Sequence, residues 1–239
     1  MYNLLPYQIL DGKKNMEIDA NILDYSIESE SAPILRLYGW DKPTLTLGRN
    51  QPLDSVGVEY CQNNNIDVLR RITGGRAVLH HLEITYSFVC KADFLEKGST
   101  VISSYKEISE ALIVGLDLLG IKLSFPEYKK VSVDKGFCMA LSTGSDLNYN
   151  GKKIIGSAQY RKNNYILQHG SILIDIDDLL HKAIFEDYYD KNTITSLTEI
   201  NPNIDYYKNL PCFLKKGFES KFNDEFTYNA ELAEMLGLC

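Results

Sequence analysis

The chain has 239 residues, 44% of them hydrophobic and 24% charged, enough apolar material for a sizeable core and too much for a disordered chain. A net charge of −7 and a pI near 5.2 argue against a general nucleic-acid binder, which needs a basic face to neutralise phosphates. Five cysteines, at 61, 90, 138, 212 and 239, are widely spaced with no Cys-x-x-Cys pair, so neither a zinc site nor a redox dithiol is expected. No secretory leader or membrane-spanning apolar stretch is read, so no membrane partner is expected and the expected setting is cytoplasmic, with reduced thiols.

In chain order, apolar residues at 18, 22 and 25 predict an amphipathic helix from Met16 to about Glu28. Ile34 to Tyr38 reads as a strand, 39–43 as a loop, and the alternating Thr44-Leu45-Thr46-Leu47 as a second strand ending at Gly48-Arg49. A short helix over 58–63 precedes the strand-like Ile66 to Leu69. Residues 84–89 are rich in β-branched and aromatic side chains, a strand. Ile102, Tyr105, Ile108, Leu112, Leu116 and Leu119 form one stripe, predicting a long helix over 99–119 with Gly120 as its C-terminal cap. Residues 124–144 carry no regular pattern. Strands over 146–149 and 153–159 are joined by Asn150-Gly151, a two-residue hairpin signal, and a strand over 165–173 follows the turn at 162–164. Helices are predicted around 176–185 and over 229–236. No repeat, low-complexity run or linker is visible. Antiparallel hairpins interrupted by helices predict an α+β fold in one catalytic domain over 1–239, with its core at about 30–200 and a helical tail over 201–239.

Four places hold residues with chemical potential. Arg70, Arg71, Thr73, Gly74, Gly75, Arg76, Ala77, Val78, His80 and His81 combine a glycine break with three arginines and two histidines. A plain hairpin turn explains the glycines alone; the charges point to a ligand held by backbone N–H groups and guanidinium forks. His80 and His81 are adjacent, so on a strand they face opposite ways, and no metal site is expected from the pair. Cys138 stands in an irregular stretch. A lone cysteine is commonly a buried small hydrophobe, but a nearby cation turns a thiol into a nucleophile, and Lys153 begins a strand just after the hairpin. The bland reading of Lys152-Lys153 is a solvated strand edge. Gly156, Ser157, Ala158 and Gln159 put small residues mid-strand, which suits either a β-bulge or the close approach of an acyl chain or adenylate. His169-Gly170 ends a strand-like run, and a single histidine there is more often structural.

These motifs occur in an order that resembles the lipoate-protein ligase and octanoyltransferase superfamily: Arg-Arg-Ile-Thr-Gly-Gly-Arg-Ala-Val-Leu-His over 70–80, Gly-Lys-Lys-Ile-Ile-Gly-Ser-Ala-Gln over 151–159, Leu37 to Trp40 with Thr44 to Arg49, and Gln168 to Ser171. The similarity runs from about Leu35 to about Ile174. Arg76 stands where the ATP-using ligases usually carry a third glycine, and Cys138 stands at the nucleophile spacing from Lys153, so the cysteine-dependent octanoyltransferases are the nearer match. Met139 replaces a common phenylalanine, His81 a usual aspartate, and Asp146 a common glutamate.

The resemblance implies a mixed, largely antiparallel sheet flanked by helices, shared with biotin ligase catalytic domains. It implies octanoyl transfer from octanoyl-acyl carrier protein, through a thioester on Cys138 assisted by Lys153, to the lysine of a lipoyl-domain or glycine-cleavage carrier protein. Residues 70–80 and 156–159 would wall the acyl tunnel, with His169 and Gly170 beside them. No cofactor is implied, except ATP and magnesium under the alternative of a lipoate ligase working through a lipoyl-adenylate. A non-enzymatic module docking acidic carriers on Lys129, Lys130, Lys152, Arg161 and Lys162 is the remaining reading.

Overall fold

The computed structural model describes residues 1–53, 56–126 and 146–238. The chain opens with β1 (Tyr2–Leu4), β2 (Gln8–Leu10), α1 (Gly12–Ser29), β3 (Ile34–Trp40), β4 (Thr44–Leu47) and α2 (Val58–Asn63). It continues through β5 (Asp67–Arg70), β6 (Val78–His80), β7 (Glu83–Lys91), α3 (Val101–Asp117), β8 (Leu147–Tyr149), β9 (Lys152–Lys162) and β10 (Tyr165–Leu173). It closes with α4 (Asp178–Phe185), α5 (Leu197–Ile200), α6 (Tyr206–Phe222), β11 (Phe226–Tyr228) and α7 (Ala230–Met235).

Local chemistry sets several boundaries. The Asp11 side chain accepts from the Lys14 backbone N–H and caps α1, four residues earlier than the apolar spacing alone predicts; Glu30, in the left-handed region at φ 50°, ends it. Thr100 caps α3 in the same way, through Ser103. Asn150 and Gly151 have φ of 48° and 81°, and Asn163 and Asn164 have 48° and 63°, so both hairpins flanking β9 close on a pair of positive-φ residues whose twist matches the strands.

Among the described residues, eight strands form one sheet, in the order β11-β1-β3-β7-β10-β9-β8, with β2 pairing the far part of β3. The run β3-β7-β10-β9-β8 is antiparallel, and β1, β2, β3 and β11 pair in parallel. One face packs Leu35, Tyr86, Phe88 and Ile166 against Ile108, Leu112, Leu210, Leu214 and Phe218 of α3 and α6. The other packs Ile34, Val89 and Leu167 against Ile18, Ile22 and Leu23 of α1 and Leu232 of α7. Both faces are covered, which explains why β7 and β10 are buried nearly end to end. α6 falls within the predicted helical tail, and β11 has no counterpart in the sequence pattern. Together they return the segment after residue 200 into the main core and sheet, so it is not a peripheral tail.

A second, three-stranded sheet has the order β5-β4-β6. β5 and β6 do not pair with each other; β4 lies between them, parallel to β5 and antiparallel to β6. Residues 71–77 therefore cross over the end of β4. The crossing is tight: a Cβ at Gly48 would lie 1.9 Å from the Gly75 carbonyl oxygen, so glycine is required there. No helix among the described residues is long and apolar enough to cross a membrane.

Candidate active site

A cleft opens where the two sheets face each other beside the first turns of α1. β9 and β10 supply Gly156, Ser157, Ala158, His169, Gly170 and Ser171; the second sheet and its crossover supply Thr46, Arg71, Val78 and His80; Met16, Tyr38 and Thr85 complete the wall. Gly170 opposes Ser157 across the strands. A Cβ on Gly170 would lie 2.3 Å from Ser157 Oγ and 2.7 Å from the Gly156 carbonyl oxygen, so this stretch of cleft floor is bare backbone by necessity.

Around the cleft runs a continuous belt of hydrogen bonds. Glu83 Oε1 accepts from Thr85 Oγ1 at 2.6 Å and lies 3.1 Å from His80 Nδ1. A carboxylate can only accept, so Nδ1 carries the proton and His80 Nε2 is left to accept from Thr46 Oγ1 at 2.9 Å. Burial pushes the His80 imidazole below its ordinary range, against the pull of Glu83, so it is neutral at pH 7. Trp40 stacks on the His80 ring at 3.9 Å between centroids and donates its indole N–H to Thr85. With both its nitrogens engaged, His80 has none to offer a metal.

Arg71 is the belt's hub. Its Nη1 donates to Thr46, its Nη2 to the carbonyls of Gly74 and Arg76 at 2.7 Å each, and its Nε to Thr73 Oγ1 at 3.1 Å. The crossover is thus wrapped around this guanidinium. Thr73 Oγ1 lies 2.7 Å from His169 Nε2, and His169 Nδ1 lies 2.8 Å from Asp19 Oδ2. Asp19 also accepts from Arg36 at 2.9 Å and from Tyr38 at 2.9 Å, and Arg36 donates on to Asn15 Oδ1 at 2.6 Å. Burial alone would raise the Asp19 carboxyl; His169, Arg36 and Tyr38 outweigh it and hold it below its ordinary range.

The sequence-derived candidates distribute unevenly. Arg71, Val78, His80, Gly156, Ser157, Ala158, His169 and Gly170 line the cleft. Thr73 stands behind it in the belt. Arg70 turns away and donates to the carbonyls of Gly48, Arg49 and Gln51, bracing that loop. Gly74 and Gly75 are exposed on the crossover, Arg76 is half-buried outside the cleft, and Ala77 packs into the second sheet's own core. Gln159 points to the opposite face, where it contacts Gln168, Arg161 and Ser104 on the α3 side. His81 is half-exposed, 4.0 Å from Asp177.

Lys153 is not a solvated strand edge. It is 1% exposed, its Nζ 3.0 Å from the equally buried Asp146 Oδ2, and it precedes Gly156 by three positions on the strand that floors the cleft. Cys138 lies outside the described residues, as do Lys129 and Lys130. Of the remaining basic candidates, Arg161 is tied to the carbonyls of Gly98 and Thr100, and Lys162 pairs with Asp24. Asp19, Arg36, Thr46, Glu83 and Thr85 were absent from the sequence-derived site. Arg36 carries the one available signal, a charge inside the run Ile-Leu-Arg-Leu-Tyr that must find a partner once the strand is buried.

The family described as lipoyl protein ligase A/B catalytic domain matches residues 11–210. The octanoyltransferase LipM of Carboxydothermus hydrogenoformans is 41% identical over 186 residues, covering 77% of this chain and 69% of the relative. The octanoyltransferase LipM of Clostridioides difficile is 39% identical over 171 residues, covering 70% of this chain and 63% of the relative. The matched stretch is thus about two thirds of those relatives' lengths. Among solved structures, a lipoate-protein ligase A bound with ATP superposes with a TM-score of 0.80 at 23% identity, covering 98% of this chain and 92% of that one, a likeness of fold. The chain belongs to the lipoyl protein ligase A/B catalytic domain family, and within that family to the octanoyltransferases. Its fold is the mixed, largely antiparallel sheet with flanking helices that the motifs imply.

Proposed function

We propose that this protein transfers an octanoyl group from octanoyl-acyl carrier protein to the lysine of a lipoyl-domain or glycine-cleavage carrier protein, through a thioester on Cys138, in the cytoplasm and without ATP. In the first step the Cys138 sulfur attacks the donor thioester carbonyl, a new C–S bond forms, and the carrier thiol leaves with the proton. In the second the acceptor lysine amine attacks the enzyme thioester, the amide forms, and Cys138 departs as thiolate and regains its proton. The octanoyl chain lies in the cleft over Gly156, Ser157 and Gly170, and Lys153 presents its ammonium to the thiolate and to the developing oxyanion.

The observation that carries this reading is the placement of Lys153. A buried ammonium, paired with Asp146, sits on the same strand as the bare-backbone floor of a cleft, with Gly156 three positions on. The hydrogen-bonded belt keeps the second sheet docked on the first, which holds the cleft open to a chain rather than collapsed. The likeness to octanoyltransferases favours transfer over ATP-dependent ligation. The test is single-turnover transfer of octanoyl from carrier protein to acceptor without ATP. Loss of transfer in Cys138→Ser is expected; transfer by that variant at the rate of the parent chain sinks the proposal, and an absolute requirement for ATP and free acid moves it to the ligase class.

A further inference from the structure

The side chains around the cleft differ in how much freedom they have. Arg71, His80, His169, Thr46, Thr85 and Tyr38 are each held by the belt, and moving any one breaks bonds to the next. Gly156 and Gly170 have no side chain, and Gly170 has no room for one. Ala158 and Val78 are short, and Ser157 accepts from Tyr86 at 2.8 Å. Met16 remains: partly buried, apolar, unbranched, and among the described residues the only lining side chain that is both long and free of hydrogen bonds.

Its backbone is fixed from both sides. Asn15 donates to the carbonyls of Leu10 and Gly39 at 3.2 and 3.0 Å. Asp19, one helical turn on, is clamped by Arg36, Tyr38 and His169. Gly12, one turn back, has Thr44 and Leu69 so close that a Cβ there would meet them at 2.7 and 2.9 Å. A flexible side chain thus projects from a rigid post into a cleft whose other described walls are short or held by hydrogen bonds. We propose that Met16 is the specificity-determining residue for acyl-chain length, its thioether filling the space that a longer chain would take. This rests on the reading of the cleft as the acyl site. Shortening the side chain to a methyl frees room for about two methylenes, and each methylene in an apolar pocket is worth about ten-fold or more in discrimination.

The protein carries its own reporter, since Trp40 is the single tryptophan and stacks on His80 at the cleft wall. The parent chain, Met16→Ala and Met16→Phe are titrated with hexanoate, octanoate, decanoate and dodecanoate, following Trp40 emission; the same acyl groups are then presented as carrier thioesters in competition. In Met16→Ala the decanoate-to-octanoate affinity ratio is expected to rise about ten-fold or more, and in Met16→Phe the hexanoate-to-octanoate ratio is expected to rise. Ratios unchanged in both variants, even where every affinity falls together, overturn the inference, as does the absence of saturable binding of any of the four acids to the parent chain. Saturable, length-shifted binding without octanoyl transfer supports the role of Met16 and overturns the transfer reading alone.

Discussion

His169 Nε2 lies 2.7 Å from Thr73 Oγ1, a contact between residues 96 positions apart that ties β10 of the large sheet to the crossover of the small one. The same ring reaches Asp19 through Nδ1, so one imidazole joins both sheets and α1. The cleft exists because these three elements are held in register.

Removing that ring should therefore cost stability and activity together. His169→Ala removes two buried hydrogen bonds, leaving Thr73 Oγ1 with Arg71 alone and Asp19 Oδ2 with Tyr38 alone, a loss of about 1–3 kcal/mol. The urea midpoint is expected to fall and octanoyl transfer to drop. A midpoint equal to that of the parent chain shows the contact to be dispensable.

Asp19→Ala is expected to be more severe. Arg36 is 1% exposed and loses its carboxylate, and a buried charge stripped of its partner costs about 3–5 kcal/mol. Asp19→Asn keeps the shape and loses the charge, so it should unfold at nearly the same denaturant concentration as Asp19→Ala. If Asp19→Asn matches the parent chain instead, shape rather than charge is what Arg36 requires.

Gly170→Ala is expected to disturb the cleft floor with little change elsewhere. The added methyl meets Ser157 Oγ, the Gly156 carbonyl and the Tyr86 ring, at a cost of about 1–3 kcal/mol in overpacking. Octanoate binding, read by Trp40 emission, should weaken more than the midpoint shifts.

Stability should also depend on pH above the carboxylate range. Burial lowers His80 and His181 from 6.5, so in the unfolded chain both take up protons at a pH where the folded chain does not. Their contribution is complete above 6.5 and is lost as pH falls from there toward the lowered folded values. The urea midpoint is expected to be flat from about pH 8 to 7 and to decline by about pH 5.5. Asp19 acts in a separate window, because its lowered carboxyl withdraws support only below the ordinary aspartate range. A midpoint unchanged down to pH 5.5 contradicts the buried-neutral state of these histidines.

Much of this was legible in the chain itself, and what was not has physical causes. The stripe over residues 99–119 and the Asn150-Gly151 turn announce α3 and the β8–β9 hairpin through periodicity and backbone chemistry, which are local. The motifs of residues 70–80 and 151–159 announce a site. The helical character of the segment after residue 200 was legible, but the bounds of α6 were not, since Pro211 lies inside it. The order of the small sheet was not legible because strand order is non-local: nothing in residues 66–80 shows that β4 lies between β5 and β6. Asp19 and Glu83 carry no signal of burial in the sequence, and only the fold reveals that each is buried against a partner.

The most direct measurement is the mass of the protein after exposure to octanoyl-acyl carrier protein, with ATP and acceptor both absent. The account predicts an increase of one octanoyl group, mapped by proteolysis to the peptide holding Cys138, lost on adding acceptor and missing in Cys138→Ser. An unmodified protein that nevertheless octanoylates the acceptor when both are mixed with donor would contradict it.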